Sequence, residues 1–222
     1  KATLHDTVTA TVDGDDLKLV LVQAKNETEN EPPKEFAGKR IPPVPPAPDL
    51  AAVKLGEPVT LFNGKDLDGW ELIESEARNG WSAEAGGVLA NNVHKEGHGG
   101  PRWGNLRTRA SFEDFNLKCE VQVPKEGNSG IYLRGIYEVQ VMDSFGMAVD
   151  AHHMGGIYSR ISPTVAAEKP ADEWQSFDIT LCDRHVTVKL NGTTIIDNQP
   201  LLGCTGGALW SDEFRPGPLY LQ

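Results

Sequence analysis

The chain has 222 residues and a formal net charge of -11, with 21 Lys and Arg against 32 Asp and Glu. That balance argues against a nucleic-acid partner, whose binders carry the opposite sign, and no apolar run approaches the roughly 20 residues of a membrane span. The 23 Gly and 15 Pro favour strands and turns over long helices.

Thr7–Val12 and Leu17–Val22 alternate in character on either side of Asp13-Gly14-Asp15-Asp16, the pattern of a β-hairpin. A lone hairpin is marginal, so residues 1–24 read as a strand pair that closes a domain beginning upstream. Residues 25–56 read as a linker. Asn26–Lys34 is polar and acidic, and Arg40–Pro48, RIPPVPPAP, has the composition of a stiff polyproline spacer. A PxxP ligand for a partner domain is the alternative. Lys1–Ala10 lacks the apolar core of a signal peptide.

From Glu57 the texture changes to short strands and turns. Val59–Phe62 is an expected strand, followed by Asn63-Gly64-Lys65 and Leu67-Asp68-Gly69-Trp70; Trp81, Val88 and Leu89 mark others. His94 and His98 fall in the polar tract Asn91–Arg102, whose glycines argue against a helix. A surface loop is the expectation there, with metal binding by the pair as the alternative. Phe115–Val123 places Phe115, Leu117, Cys119, Val121 and Val123 on one face, as a half-buried antiparallel strand does. Cys119 reads as a small buried hydrophobe. With Cys182 and Cys204 it makes an odd set without CxxC spacing, which does not support a disulfide framework.

Gly127–Asp143, GNSGIYLRGIYEVQVMD, is the stretch on which the functional reading turns. Alternation puts Tyr137, Val139 and Val141 on one strand face and Glu138 and Gln140 on the other. Arg134, Glu138 and Gln140 beside Tyr132 make a site candidate. Phe145–Met154 is an expected loop with Asp150, His152 and His153, Gly155–Ser159 an extended run, and Pro163–Asp172 another loop. Phe177–Leu181, Val186–Leu190 and Thr193–Ile196 alternate again, the last two joined by the tight turn Asn191-Gly192. Asn191-Gly192-Thr193 also spells a glycosylation sequon, but a hairpin explains it more economically. Short strands at regular spacing indicate an all-β sandwich.

LFNGKDLDGW at 61–70, GNSGIYLR at 127–134, YEVQVMD at 137–143, GGIYS at 155–159, DEWQSFDITL at 172–181 and VKLNG at 188–192 occur in this order. Together they resemble the 3-keto-disaccharide hydrolase domain over roughly residues 57–222. The resemblance implies a two-sheet antiparallel jelly roll of the concanavalin A-like kind, with sugar on its concave face and the N-terminal strands and linker as an extension. It implies a secreted or periplasmic bacterial protein whose partner is a carbohydrate, an oxidised glycoside or disaccharide. Family members continue past Gly217–Gln222 into a strand that closes the sheet, so a domain shortened at its C-terminus is expected. The family's Gly-Glu-Trp-Asn stands here as Asp172-Glu173-Trp174-Gln175.

Glu138 and Asp143 resemble the acidic strand of laminarinase-type glucanases, where nucleophile and acid/base flank the scissile bond. Five residues apart, they face opposite ways unless a β-bulge precedes Asp143. Gln140 stands where those enzymes carry a helper acid. The family's substrate opens a second route, in which a C3 ketone acidifies the C2 proton, one base removes it, the C1 group leaves and water adds back. Glu138, His152 or His153 is the candidate base, only one of the adjacent histidines being able to face inward. Arg134, Lys169 or a metal is the candidate enolate stabiliser. Asp143, Asp150 and His152 are the candidate ligands of a divalent cation, although no spacing enforces one.

The expected substrate contacts are Arg134, Gln140, Asn128, Tyr158, Lys169, Trp103 and Trp174. Against them stand plainer readings: an Arg134–Glu138 ion pair, turn roles for Asn128 and Ser129, and core or rim packing for Tyr158 and Trp174. Trp103 is read as a lid or stacking residue. The leading expectation is a hydrolase or lyase on oxidised glycosides centred on Glu138. The alternatives are a non-catalytic carbohydrate-binding module of the same fold and a structural surface module.

Overall fold

The computed structural model describes residues 4–93 and 102–222, so His94 and His98 lie outside the described residues. The chain divides into two compact units, Lys1–Pro43 and Val44–Gln222.

In the first unit, β1 (Thr7–Asp13), β2 (Asp16–Val22) and β3 (Lys34–Lys39) form one antiparallel sheet in that order. Asp13 pairs with Asp16 across Gly14-Asp15, and Gly14 takes a φ of 58°, as the first position of a tight hairpin turn requires. β3 falls in the stretch read as linker. Its own propensity is weak, since Lys, Glu, Ala and Gly are all depleted in strands. Pairing supplies what propensity does not: Phe36 lies opposite Leu19, and Lys18 Nζ reaches Glu35 Oε1 at 2.9 Å.

The second unit holds two larger antiparallel sheets and a hairpin. β10 (Tyr137–Met142), β9 (Asn128–Leu133), β14 (Tyr220–Leu221), β7 (Leu106–Thr108) and β4 (Trp70–Leu72) form one sheet in that order. β13 (Thr193–Pro200), β12 (His185–Leu190), β11 (Gln175–Cys182) and β8 (Phe115–Val121) form the other. β5 (Trp81–Glu84) and β6 (Val88–Asn91) make the hairpin.

One core lies between the two sheets. Ile131, Leu133, Val139 and Val141 from the first meet Leu117, Phe177, Ile179, Leu181, Val186 and Val188 from the second. These are the inward positions of alternating strands, and Phe115, Cys119 and Val121 pack against the same core. Burial pushes the Cys119 thiol up to about 12, and all three cysteines are free. A smaller cluster of Trp70, Trp81 and Leu106 packs beside it. The result is an all-β antiparallel sandwich.

The turns follow their chemistry. Asn191 and Gly192, with φ of 50° and 82°, join β12 to β13, the two left-handed positions of a type I′ turn. The Asn191 amide donates to Ala167 O and Gln175 Oε1 while its oxygen accepts the Ser176 N–H. The turn, rather than a glycan, uses this side chain.

Two expected strands are absent. Val59–Phe62 is irregular, because the Leu61 carbonyl accepts the Trp70 indole N–H at 2.7 Å and Leu61 packs on both cores. Gly155–Ser159 is a turn in which only Ile157 bridges, to Val139 and Ile161. Left-handed φ values of 80° at Gly155 and 58° at Ser159 interrupt extended backbone there. Conversely, Tyr220–Leu221, expected only to precede a closing strand, is itself a strand paired with both β7 and β9.

β10 is an edge strand whose outward backbone groups are nonetheless covered. Gln140 N–H donates to Gly156 O, the Gly155 and Tyr158 N–H groups donate to the carbonyls of Gln140 and Glu138, and Glu138 N–H donates to Thr205 Oγ1. Loops 143–161 and 201–219 thereby close an edge that would otherwise invite pairing.

Candidate functional site

Directly opposed residues form a row across the outer face of the five-stranded sheet. Glu138 pairs with Tyr132, Tyr132 with Tyr220, Tyr220 with Arg107, and Arg107 with Glu71. The Tyr132 and Tyr220 rings stack with centroids 3.7 Å apart, and their hydroxyls donate to the carbonyls of Gly206 and Gly207 at 2.8 and 2.6 Å. Gly207 permits this close cover. Its φ is 78°, and a Cβ there would strike the Tyr132 hydroxyl.

Glu138 is only 3% exposed. Gly130 lies opposite Gln140, and the space of its missing side chain is where the Glu138 carboxyl sits: a Cβ at Gly130 would overlap Glu138 Oε1. Burial pushes this carboxyl above the usual range, while hydrogen bonding with the Tyr132 hydroxyl opposes the shift and is the smaller effect. No cation among the described residues offsets its charge. Such a group accepts a proton more readily than an ordinary glutamate.

Gln140 stands two residues along on the same face and is also 3% exposed. Its Nε2 donates to Asn128 Oδ1 at 2.9 Å, whereas its Oε1 is buried without a partner among the described residues. Asn128, Gln140, Glu138 and Tyr132 therefore gather around Gly130 on one face. Tyr158 joins them from the loop after β10, its N–H bonded to the Glu138 carbonyl.

Other expected residues are held elsewhere. Arg134 occupies the β9–β10 turn with a φ of 55°, and the turn directs it into the 213–215 loop. There it is 2% exposed, with Nη2 donating to the carbonyls of Glu213 and Arg215 at 2.8 and 2.6 Å. No ion pair with Glu138 forms. Asp143 is separate too. β9 and β10 stay in register from Tyr137 opposite Leu133 to Met142 opposite Asn128, so no bulge turns Asp143 onto the Glu138 face. Its Oδ2 accepts the Glu126 N–H at 3.0 Å instead.

His152 lies in a short polar array. Its Nδ1 meets Asp150 Oδ1 at 2.6 Å, its Nε2 meets Ser159 Oγ at 2.9 Å, and its ring stands edge-on to Tyr158. Hydrogen bonds from the His152 backbone and ring hold the Asp150 carboxyl below its usual range. The order of groups is that of an acyl-transfer triad. However, the Ser159 and Arg160 N–H groups bond to Ala151 O and Ile157 O, leaving neither for an oxyanion. The array positions an imidazole. His153 diverges from it, with Nδ1 on Ala148 O at 2.7 Å. Asp143 does not join Asp150 and His152, and no group of three His, Cys, Asp or Glu among the described residues could hold a metal ion.

Lys169 and Trp174 belong to the turn before β11, in the other sheet. Lys169 Nζ donates to Trp174 O at 2.8 Å, and buried Gln175 accepts the Lys169 N–H while donating to its carbonyl. Trp103 packs against Gly80 with the Arg78 guanidinium 4.4 Å over its ring. Sequence reasoning missed Tyr220, Arg107 and Glu71 because they come from strands of two and three residues. The one legible signal was Gly130 alternating with Asn128 and Tyr132 on the Glu138 side.

The description 3-keto-alpha-glucoside-1,2-lyase-like domain matches residues 57–222. A solved structure from Parabacteroides distasonis ATCC 8503, provisionally assigned as a glycosyl hydrolase, is 32% identical, with 74% of this chain and 75% of that chain covered and a TM-score of 0.59. A second from the same organism, with the same provisional assignment, is 23% identical over 73% of this chain and 85% of its own, at a TM-score of 0.55. The second likeness is one of fold. A search of curated proteins gives no match. The matched span contains both sheets and every residue of the outer-face row, and the chain belongs to the 3-keto-alpha-glucoside-1,2-lyase-like domain family.

Proposed function

We propose that residues 57–222 form a lyase that cleaves 3-keto-α-glucosides, with Glu138 as its base. The observation that carries this reading is the buried Glu138 carboxyl seated over Gly130, with no cation beside it among the described residues. A ketone at C3 makes the C2 hydrogen acidic. The Glu138 carboxylate takes that proton, and the C2–H electrons pass into the enolate. Collapse of the enolate forms a C1–C2 double bond, breaks the C1–O bond and releases an alkoxide that takes a proton from water, and the hydroxide left behind takes the proton from Glu138 and restores the carboxylate. Addition of water across the double bond returns the free 3-keto sugar, so the overall change is hydrolysis. The Tyr132 hydroxyl stands beside the carboxyl and donates to the Gly206 carbonyl, and it is assigned as the enolate donor by turning that proton to the substrate oxygen.

Spacing supports elimination over displacement by two carboxylates. Glycosidase carboxyl pairs stand roughly 5 to 9.5 Å apart. Asp143 is off the face, and Glu71 is four strands away in the sheet order, or about 19 Å at ~4.8 Å per strand. A lone base suits proton abstraction. The family description and the provisional assignment of the 32% identical relative support a glycoside-acting enzyme in general.

The test is turnover of a 3-keto-α-glucoside in D2O, followed by NMR against an enzyme-free control. Elimination and hydration place solvent deuterium at C2 of the first-formed product. Cleavage without that deuterium would overturn the mechanism, and binding without cleavage would leave a carbohydrate-binding module.

A further inference from the structure

Gln140 has two unlike ends. Its Nε2 is engaged by Asn128 Oδ1, which fixes the amide so that Oε1 points away as a pure acceptor. That oxygen is buried and has no partner among the described residues, a condition that native proteins keep rare. It lies on the Glu138 face opposite Gly130, and the room left by the missing Gly130 side chain brings the Glu138 carboxyl to the same place. A bound molecule that supplies one donor would satisfy it.

We infer that Gln140 Oε1 accepts a hydrogen bond from a hydroxyl on the sugar ring that Glu138 deprotonates, making Gln140 the residue that selects for that hydroxyl. This rests on the reading of the Glu138 face as the substrate site. An acceptor-only oxygen cannot bind a ketone or a ring ether, so it reads a hydroxyl and nothing else polar on such a ring. The Glu138 carboxyl leans over Gly130, the residue paired with Gln140, which keeps both groups within reach of one pyranose. Glu138 and Gln140 therefore address two positions of a single ring.

The experiment uses 3-keto-α-glucosides lacking the C2, C4 or C6 hydroxyl in turn. With the native chain, one of these analogues should lose at least about 100-fold in kcat/KM, because a buried acceptor is then left unpaired. Gln140→Leu should reduce that penalty to within about 3-fold, and Gln140→Glu, which keeps shape and acceptor, should retain it. Equal losses in the native chain and Gln140→Leu would overturn the proposal. Calorimetric titration of the same analogues onto Glu138→Gln reads the contact without turnover. One deoxy sugar binding distinctly more weakly supports the contact even where the base assignment fails. Equal affinity for all of them overturns the contact while leaving the base assignment standing.

Discussion

The two ends of the outer-face row carry the same functional group in opposite circumstances. Glu71 is half exposed and accepts from Arg107 at 2.7 Å, with Arg109 at 3.6 Å. Glu138, three strands beyond Arg107 in the sheet order, is buried against Tyr132 with no cation beside it among the described residues. A partly solvated ion pair contributes roughly 0 to 1 kcal/mol and perturbs little. A buried unpaired carboxyl disfavours its own charge, which weakens the fold while strengthening the group as a base. The sheet holds both, and only the second resembles a catalytic device.

The strongest way to break this contrast is Glu138→Gln. Loss of a general base should lower kcat by about 10³-fold, measured on a 3-keto-α-glucoside, while circular dichroism shows the fold retained. Turnover within a few-fold of native would remove Glu138 from the chemistry. Gly130→Ala should come next, at roughly 10- to 100-fold in kcat/KM, because the new Cβ displaces the carboxyl it now admits. Full activity in that variant would show that the seat is not what positions the base.

Acidity sharpens the contrast further. Glu138 must be ionised to act, so kcat/KM should fall as pH drops through a value above the usual glutamate range. Stability should run the other way. The folded pKa exceeds the unfolded one, so the group's stabilising share is complete at acid pH and is lost as pH rises through the folded value. Glu138→Gln should therefore melt higher than the native chain near neutral pH, and the two should converge below the ordinary carboxyl range. A native chain that melts higher at neutral pH would contradict the buried, unpaired reading. The smallest effect belongs to Glu71→Gln, expected to cost under about 1 kcal/mol by denaturant melts and to change kcat/KM by less than about 3-fold. A loss as large as that of Glu138→Gln would erase the distinction between the ends.

The parts of the fold legible in the sequence were those with a strong local period. Phe115–Val121, Tyr137–Met142, Gln175–Cys182 and His185–Leu190 alternate clearly, and each forms a strand with its apolar side in the core. Val59–Phe62 looked equally apolar, but there Leu61 serves the Trp70 indole and two cores instead of a neighbouring strand. β3, β7 and β14 were invisible for the opposite reason, since short or polar segments become strands only through their partners.

At the candidate site the sequence alone placed Glu138 and Gln140 on one face, because strand periodicity of two admits nothing else while the register holds. It also joined them to the family through motifs that lie in order along the chain. Only the tertiary structure decided which polar residues meet them. Arg134 went to the 213–215 carbonyls and Asp143 to a backbone amide, while Tyr220 arrived from the far end of the sequence. Periodicity is a property of neighbours in the chain, but charge, burial and partnership are properties of neighbours in space. That is why the place of Glu138 on its strand face was legible and its surroundings were not.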